Sequence, residues 1–188
     1  MASHDSASDR LPALLQTDRL IVRAARPGDG AMLHEAVVES QAELAPWLPW
    51  VTPLPTLEQT EAKCAAAFER FERNEDLMAI FLLKETGALV GGGGLHKANW
   101  TLRQFEVGYW GRTRFLGAGF VTEGVRALAR HAIEVLGAQR VFLTTDERNL
   151  RSRRLAERAG FEYEGTLRKE RLDLEGRLRD TRVYAIVA

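Results

Sequence analysis

Residues 112–119, RTRFLGAG, combine two arginines and two glycines where a strand pattern meets a helix pattern. FEVGYW precedes them and is rich in β-branched and aromatic residues, whereas FVTEGVRALARHAIEVLG follows with apolar residues at helical spacing. A helix start presents unpaired N–H groups and a partial positive charge, which both suit an anion. Gly117 and Gly119 would let phosphate oxygens approach the backbone, and Arg112 and Arg114 would add charged hydrogen bonds. The pattern predicts a phosphate-binding loop, while a tight turn without a ligand is the competing interpretation of the glycines.

This loop matches neither of the two common glycine motifs that bind nucleotides. It lacks the GxxxxGK[ST] pattern of nucleoside triphosphate loops, and there is no GxGxxG turn after a first strand. A triphosphate and a dinucleotide are therefore both unsupported as ligands. The identity of the phosphate compound has to come from the wider sequence.

Hydrophobic patterning predicts a strand and two helices at the start of the chain. Residues 18–26 alternate apolar and polar side chains as a strand does, and residues 30–41 show moderate helical spacing. The stretch AELAPWLPWVTPLP carries four prolines and two tryptophans, which predicts an extended loop with large apolar side chains. Thr56 is suited to cap the next helix, TLEQTEAKCAAAFERFER.

Strands dominate the middle and the end of the chain. A hairpin turns at Thr86 and Gly87, and its second strand carries four consecutive glycines (residues 91–94), which indicate a bulge or a close approach of another chain or a ligand. After the phosphate-binding loop and its helix come the strand RVFLTT, a helix ended by Gly160, and two strands around Gly176. FEVGYW, the helix and RVFLTT together have the length of a crossover that joins parallel strands.

Length, charge and cysteine content indicate one domain without a bias toward a charged partner. The chain has 188 residues with 26 basic and 26 acidic side chains, so we expect a single domain over residues 17–188 and neither nucleic acid nor membrane as a partner. Cys64 is the only cysteine, and no metal is expected. Residues 1–16 lack the basic and apolar segments of a signal peptide and are predicted to be a disordered leader. Because no apolar run has the length of a membrane helix, we expect a cytoplasmic protein.

The order of these motifs resembles the GNAT superfamily of acetyltransferases. RxxGxG opens a helix after a GYW strand, and VFLTT and N..S......AGF follow it. More closely, the chain is similar to Rim-type protein N-terminal alanine acetyltransferases in TDRLIVR, PWLPW, EVGYW, GAGFVTEGVRAL, ERNLRSRRLAERAGF and EGTLR...LEGRLRDTRVY. These pieces span nearly the whole chain after the leader. The resemblance implies an α/β fold of the GNAT type, with a central mixed, mostly antiparallel sheet, a splayed parallel strand pair and flanking helices.

The resemblance also implies acetyl-CoA as the acetyl donor, bound where the two parallel strands separate. The RxxGxG loop would bind its pyrophosphate, and backbone N–H groups near the end of FEVGYW would bind pantetheine and the developing oxyanion. Asn149 would hydrogen-bond the cofactor, cap a helix, or do both. The residues implied in cofactor binding are Gly108, Tyr109, Trp110, Arg112, Arg114, Phe115, Leu116, Gly117, Ala118, Gly119, Asn149 and Ser152.

In this superfamily an amine attacks the thioester directly, so the site needs a base and a proton donor but no nucleophile. The resemblance makes Glu106 the predicted base, because GNAT enzymes often carry a glutamate on this strand; the competing interpretation is that it pairs with an arginine on a solvated face. Glu43 and His96 are weaker candidates. Many members carry a proton-donating tyrosine in the last helix, where this chain has Ala156. By resemblance, Ser152 would lie near the sulfur and donate a hydrogen bond to the departing thiolate.

The acceptor amine is the least defined part of the expected reaction. Trp47 and Trp50 lie where the family builds one wall of the acceptor site, although a core position or a dimer contact explains them equally. An α-amine has a pKa of about 7.7–8.0, against about 10.4 for lysine, so a site that lacks the tyrosine suits a protein or peptide N-terminus. A small amine (a polyamine, an amino acid or an aminoglycoside) is the alternative, and a CoA-binding module without catalysis is another. The resemblance weakly suggests a homodimer.

Overall fold

The computed structural model describes residues 9–188, and residues 1–8 of the predicted leader lie outside the described residues. The strands are β1 (Leu14–Gln16), β2 (Leu20–Ala24), β3 (Leu77–Leu83), β4 (Leu89–Asn99), β5 (Gln104–Gly111), β6 (Arg140–Asp146), β7 (Glu162–Leu172) and β8 (Leu178–Val187). The helices are α1 (Gly30–Leu44), α2 (Leu57–Glu72), α3 (Phe120–Glu134) and α4 (Leu150–Ala159), with short 3-10 turns at Pro49–Val51 and Thr113–Phe115.

All these strands form one sheet in the order β1-β2-β3-β4-β5-β6-β8-β7. Neighbours in the sheet are antiparallel except for β5 and β6. The parallel pairing begins at Gln104 with Arg140 and ends at Glu106 with Phe142, although both strands continue. A gap therefore opens between the second halves of β5 and β6. The predicted mixed sheet and its splayed parallel pair are both confirmed.

Apolar side chains cover both faces of the sheet and fix the helices there. Along β3, Ala79 and Phe81 join the cluster that includes α3 and α4, whereas Ile80 between them joins the cluster of α1 and α2. Phe81 and Ile80 are 0% and 1% exposed, and full burial of such side chains contributes about 1.5–3 kcal/mol each. The sheet therefore separates an α1–α2 side from an α3–α4 side.

Several helix ends lie at the capping residues that the sequence predicts. The Thr56 hydroxyl accepts a hydrogen bond from the N–H of Gln59, and the Gln59 side chain accepts one from the N–H of Thr56. Gly160 ends α4 with a φ of 96°. The first helix continues to Leu44, so the start of the expected proline-rich loop is helical instead. No helix in the described part of the chain is long and apolar enough to cross a membrane.

The predicted leader boundary at residue 16 is wrong for the residues from 9 onward. Leu11 is 2% exposed, and its N–H donates to Oδ1 of Asn74 at 2.8 Å. Leu14–Gln16 then pair with β2 as a short antiparallel strand. Leu11 is therefore buried and Leu15 is half-buried against the domain, whereas Leu14 stays exposed; the Ser- and Asp-rich start of the chain does not indicate this packing.

Candidate active site

The loop between β5 and α3 has the backbone geometry of an anion site. Gly117 and Gly119 have φ angles of 84° and 81°, in the left-handed region that glycine favours. Gly119 directly precedes the first turn of α3, whose N–H groups have no acceptor within the helix. These groups and the helix dipole suit a phosphate, and the predicted order of strand, loop and helix is confirmed.

The two arginines of this loop are held by carboxylates of α1. Arg112 donates from Nε to Glu39 at 2.8 Å and from Nη2 to Glu35, and its side chain is only 6% exposed. Arg114 pairs with the same Glu39 but keeps 57% of its side chain exposed. The phosphate contact predicted for the Arg112 side chain does not fit this arrangement, because its buried guanidinium anchors the loop to α1. Arg114 keeps the solvent access that a phosphate contact requires.

Arg19, just before β2, also reaches the loop. It donates from Nη1 to the carbonyl of Ala118 at 3.1 Å and from Nε to Glu123 at 2.6 Å. Its guanidinium carbon lies 4.4 Å from the centroid of the Phe120 ring. Arg19 was not predicted from the sequence, because its carboxylate partner lies 104 positions later and no local pattern connects the two.

The apolar residues of the loop differ in what they offer a ligand. The Phe115 ring packs edge to face on Phe120, with centroids 6.3 Å apart. Leu116 is 42% exposed, and its side chain lies against Gly111, where an added Cβ would come within 2.8 Å of it. Phe115 and Leu116 were both predicted to bind the cofactor, and Leu116 has the more exposed side chain of the two.

The end of β5 borders the gap with open backbone groups. On one side Gly108, Tyr109 and Trp110 pair with the glycines of β4, whereas on the β6 side the pairing within the described strands stops at Glu106. Backbone amides along this free edge can accept an extended ligand as an added strand would pair. The edge lies where the sequence analysis expected pantetheine.

Tyr109 and Ser152 join β5 to the start of α4. Their hydroxyl oxygens are 2.8 Å apart, and the Tyr109 hydroxyl also donates to the Ser152 carbonyl at 3.1 Å. Burial raises the pKa of Tyr109 to about 12, so this phenol keeps its proton at neutral pH. Tyr109 thus brings a phenol to Ser152 although Ala156 stands where the family carries a tyrosine. No local pattern reveals the pair, because its members lie 43 positions apart.

Asn149 caps α4 as the sequence allowed. Its Oδ1 accepts a hydrogen bond from the N–H of Ser152 at 3.0 Å, which fixes the first turn of the helix. The capping role of Asn149 is confirmed, and its contact with the cofactor stays a prediction. The cap also orients Ser152 toward β5.

Glu106 is the last residue of β5 that pairs with β6, and its carboxylate already has two partners. Oε1 accepts from the Thr144 hydroxyl at 3.0 Å, and Oε2 lies 2.6 Å from Nζ of Lys97. The side chain is 13% exposed, and it does not line the cavity described next. The competing interpretation, an ion pair with an arginine on a solvated face, is correct about the ion pair. The partner is a lysine, however, and the carboxylate is largely buried.

A cavity of about 610 Å³ lies on the α1–α2 side of the sheet, beside the end of β5. Trp50 forms part of its wall and meets Trp110 edge to face, with ring centroids 6.3 Å apart. Trp47 does not contribute to the lining, so the structure brings only one of the two predicted tryptophans to this cavity. Further apolar wall residues come from the proline-rich loop, from α1 and from β3: Leu48, Pro53, Leu33, Val37 and Met78.

Two hydrogen-bonded side chains, His96 and Asp76, also line the cavity. Nδ1 of His96 lies 2.8 Å from Oδ1 of Asp76. Gly94 and Gly108 make room for the imidazole, since an added Cβ would come within 2.7 Å of its Cε1 or 3.0 Å of its Cδ2, respectively. Asp76 was missed in the sequence. The hairpin register could have revealed it, because Leu77 pairs with Leu95 and the preceding residue then lies across from His96.

Lys63 and Arg70 bring positive charge to the same cavity from one face of α2. Nζ of Lys63 lies 4.1 Å from the centroid of the Trp50 ring. Burial, and secondarily the charge of Arg70, lowers the pKa of Lys63. Within the described residues, neither cation forms an ion pair with a carboxylate. The cavity can therefore receive an anionic group.

Comparisons of sequence and of structure both find proteins similar to this chain. A Bacillus subtilis protein named as a ribosomal N-acetyltransferase, YdaF, is 28% identical over 170 residues, which cover 90% of this chain and 92% of that protein. The structure of RimL, a ribosomal L7/L12 α-N-protein acetyltransferase in complex with coenzyme A, aligns with a TM-score of 0.85 at 21% identity and covers 93% of this chain and 97% of its own. RimJ of Mycobacterium smegmatis, in complex with a CoA disulfide, aligns with a TM-score of 0.79 at 24% identity over 95% and 85%.

The fold of these structures confirms the predicted α/β architecture of the GNAT type. The family model described as the acetyltransferase (GNAT) domain matches residues 19–162. The match begins just before β2 and ends in β7, so it contains the gap, the loop before α3 and the cavity. The chain therefore belongs to the acetyltransferase (GNAT) domain family.

Proposed function

We propose that this acetyltransferase moves the acetyl group of acetyl-CoA to the N-terminal α-amine of a protein or peptide. One observation carries the proposal: two openings meet at the end of β5. The gap toward β6 and the tryptophan-walled cavity are both bordered by Gly108, Tyr109 and Trp110. An acyl donor in the gap and an amine in the cavity would approach this strand from different sides.

The residues around the gap fit acetyl-CoA. Pyrophosphate suits the N–H groups of α3, with Arg114 and Arg19 near enough to add charge. Pantetheine amides suit the free edge of β5, and Ser152 and Asn149 form the opposite wall at the start of α4. The coenzyme A in RimL and the CoA disulfide in RimJ support this choice of ligand. When bound, acetyl-CoA supplies an activated thioester carbonyl.

Ser152 and Tyr109 would assist the departing sulfur. The phenol of Tyr109 keeps its one proton, and when it donates this proton to Oγ of Ser152 instead of the Ser152 carbonyl, the serine O–H is left to donate toward the gap. Two linked hydroxyls polarise one another and make a better donor than an isolated serine. The acceptor's nitrogen would form the new C–N bond as the C–S bond breaks, and one proton would end on the sulfur.

The charges of the cavity disfavour a polycationic acceptor. Lys63 and Arg70 line it, and the only carboxylate among its described lining residues, Asp76, is held by His96. A polyamine or an aminoglycoside would bring several ammonium groups into this surrounding. A peptide N-terminus brings one, and the names of YdaF and RimL associate such relatives with ribosomal proteins.

The test is CoA release by purified protein from acetyl-CoA with a panel of acceptors. Peptides that begin with Ala, Ser or Met are compared with spermidine, free amino acids and an aminoglycoside. A matched peptide with a blocked N-terminus and an internal lysine separates α-amines from side-chain amines. We expect turnover on the unblocked peptides and none on the blocked one. Turnover restricted to a small amine would refute the peptide acceptor.

A further inference from the structure

We propose that His96 is the general base that deprotonates the acceptor amine, with Asp76 as its positioning residue. The proposal rests on the acetyl transfer proposed above. It gives His96 the role predicted from the sequence for Glu106. It depends on the hydrogen bond of the imidazole, on the location of its other nitrogen and on the partners of Glu106.

Asp76 fixes which nitrogen of His96 can accept a proton. An ionised carboxylate only accepts hydrogen bonds, so the 2.8 Å contact from Oδ1 of Asp76 places the ring proton on Nδ1. The lone pair of Nε2 is then available. The same carboxylate stabilises the imidazolium that forms when Nε2 takes a proton.

Nε2 of His96 lies over the strands at the point where the two openings meet. A Cβ added at Gly108 would be 3.1 Å from Nε2, and one added at Gly94 would be 2.8 Å from it. Gly108 lies two positions beyond Glu106, where the pairing of β5 with β6 ends. Nε2 therefore lies at the cavity wall, close to the free edge of β5 along which the donor is proposed to bind.

Glu106 is less suited to this role in the present arrangement. His96 and Glu106 are directly paired across β4 and β5, so their side chains share the face of the sheet that carries the cavity. Glu106 is nevertheless tied to Lys97 and to the Thr144 hydroxyl, whereas His96 lines the cavity. Proton uptake by Glu106 would have to break an ion pair.

The proton balance needs no further reactant. Of the three protons on the acceptor's ammonium group, one stays on the amide, one moves to Nε2 of His96 and then to solvent, and one ends on the CoA sulfur. The electron pair left on nitrogen forms the C–N bond. The charged groups around His96 are Asp76 before β3, Lys97 and Glu106 on β4 and β5, and Lys63 and Arg70 on α2.

The test compares kcat and kcat/KM from pH 6 to 9 on whichever acceptor the wild-type protein turns over fastest. The variants are His96→Gln, Asp76→Asn and Glu106→Gln, and His131→Gln on α3 is the matched control, since His131 does not line the cavity. Acetyl-CoA affinity by calorimetry and the melting temperature are measured for each. A base supplies about 10²–10⁴-fold in rate, so His96→Gln should lower kcat at pH 7 by at least about 100-fold.

The expected pattern also includes pH. The deficit of His96→Gln should shrink toward pH 9, because an α-amine with a pKa of about 7.7–8.0 then deprotonates without help. Asp76→Asn should shift the low-pH side of the wild-type kcat/KM profile, where the rate falls as the base takes up a proton. Acetyl-CoA affinity should stay within about twofold. A purely structural role of Asp76 would not shift this part of the profile. Glu106→Gln should leave the low-pH side of the profile in place.

A wild-type rate and pH profile in His96→Gln would overturn the proposal, as would loss of the low-pH fall in rate in Glu106→Gln alone. If His96→Gln fails to fold, an unchanged profile in folded Asp76→Asn overturns it instead. Activity restricted to a small amine refutes the peptide acceptor, and the same variants then decide the base on that amine.

Discussion

Glu39→Gln should destabilise the protein and weaken acetyl-CoA binding. Glu39 on α1 accepts a hydrogen bond from Nε of Arg112 and pairs with Arg114, so one carboxylate holds both arginines of the loop before α3. Hydrogen bonding by Arg114, and then by Arg112, lowers the pKa of Glu39 from 4.5 to about 2. The glutamine keeps the shape of the side chain but removes the charge that opposes the buried Arg112.

The magnitude follows from this pKa. At about 1.36 kcal/mol per pKa unit, the fall from 4.5 to about 2 corresponds to about 3 kcal/mol at neutral pH. Because Arg114 is 57% exposed, solvent screening reduces the expected loss to about 2 kcal/mol. For a chain of this length, that loss corresponds to a Tm lower by about 4–8 °C. Since the folded pKa is depressed, the contribution is complete above pH 4.5 and disappears as the pH falls toward 2.

The assay is urea unfolding at pH 7 and at pH 3.5, together with KM for acetyl-CoA. Glu134→Gln serves as the control, because its i,i+4 pair with Arg130 is solvent-exposed and worth only about 0.3–0.5 kcal/mol. We expect the difference between Glu39→Gln and wild type to be smaller at pH 3.5 and KM to rise severalfold. A Glu39→Gln protein as stable as the control at pH 7, or a deficit of the same size at both pH values, would refute this reasoning.

Three further changes test the site directly. Ser152→Ala should lower kcat by about tenfold or more in steady-state kinetics, since the hydroxyl that donates toward the sulfur is lost. Gly108→Ala should lower kcat, because its Cβ would meet the His96 ring at 3.0 Å, whereas Gly165→Ala meets nothing within 4 Å and should be neutral in the same assay. Lys63→Met should raise KM most for peptides with an acidic second residue. An equal effect on peptides with a basic second residue would contradict the idea that Lys63 binds an anionic group in the cavity.

Element order could be predicted because its signals are local. The capping box at Thr56, the turn at Thr86 and Gly87, and the glycine that ends α4 each act within a few residues. Alternation and helical spacing then supply the elements between these signals. The early strand at Leu14–Gln16 was missed because three residues carry too little periodicity, and only its pairing with β2 identifies it.

The site could be predicted only where its residues are contiguous. The loop before α3 lies in one stretch, and its glycines adopt the expected left-handed backbone. The carboxylate of Glu39 that holds Arg112 lies 73 positions away on α1, and the serine beside Tyr109 lies 43 positions away on α4. Such contacts depend on how helices pack across the sheet, which spacing within a segment does not encode.

The four consecutive glycines of β4 limit which amino-acid substitutions this part of the chain can accept. A Cβ at Gly91, Gly92, Gly93 or Gly94 would lie 2.5, 2.9, 2.6 or 1.9 Å, respectively, from a backbone carbonyl oxygen of β3 or β5. A backbone carbonyl in a paired strand cannot rotate away from such a contact, whereas a side chain can change its rotamer. In a saturation library these codons should form an unbroken stretch of intolerance in which only synonymous changes survive. Substitutions along this stretch of β4 should therefore be poorly tolerated, because the neighbouring strands leave no room for a side chain.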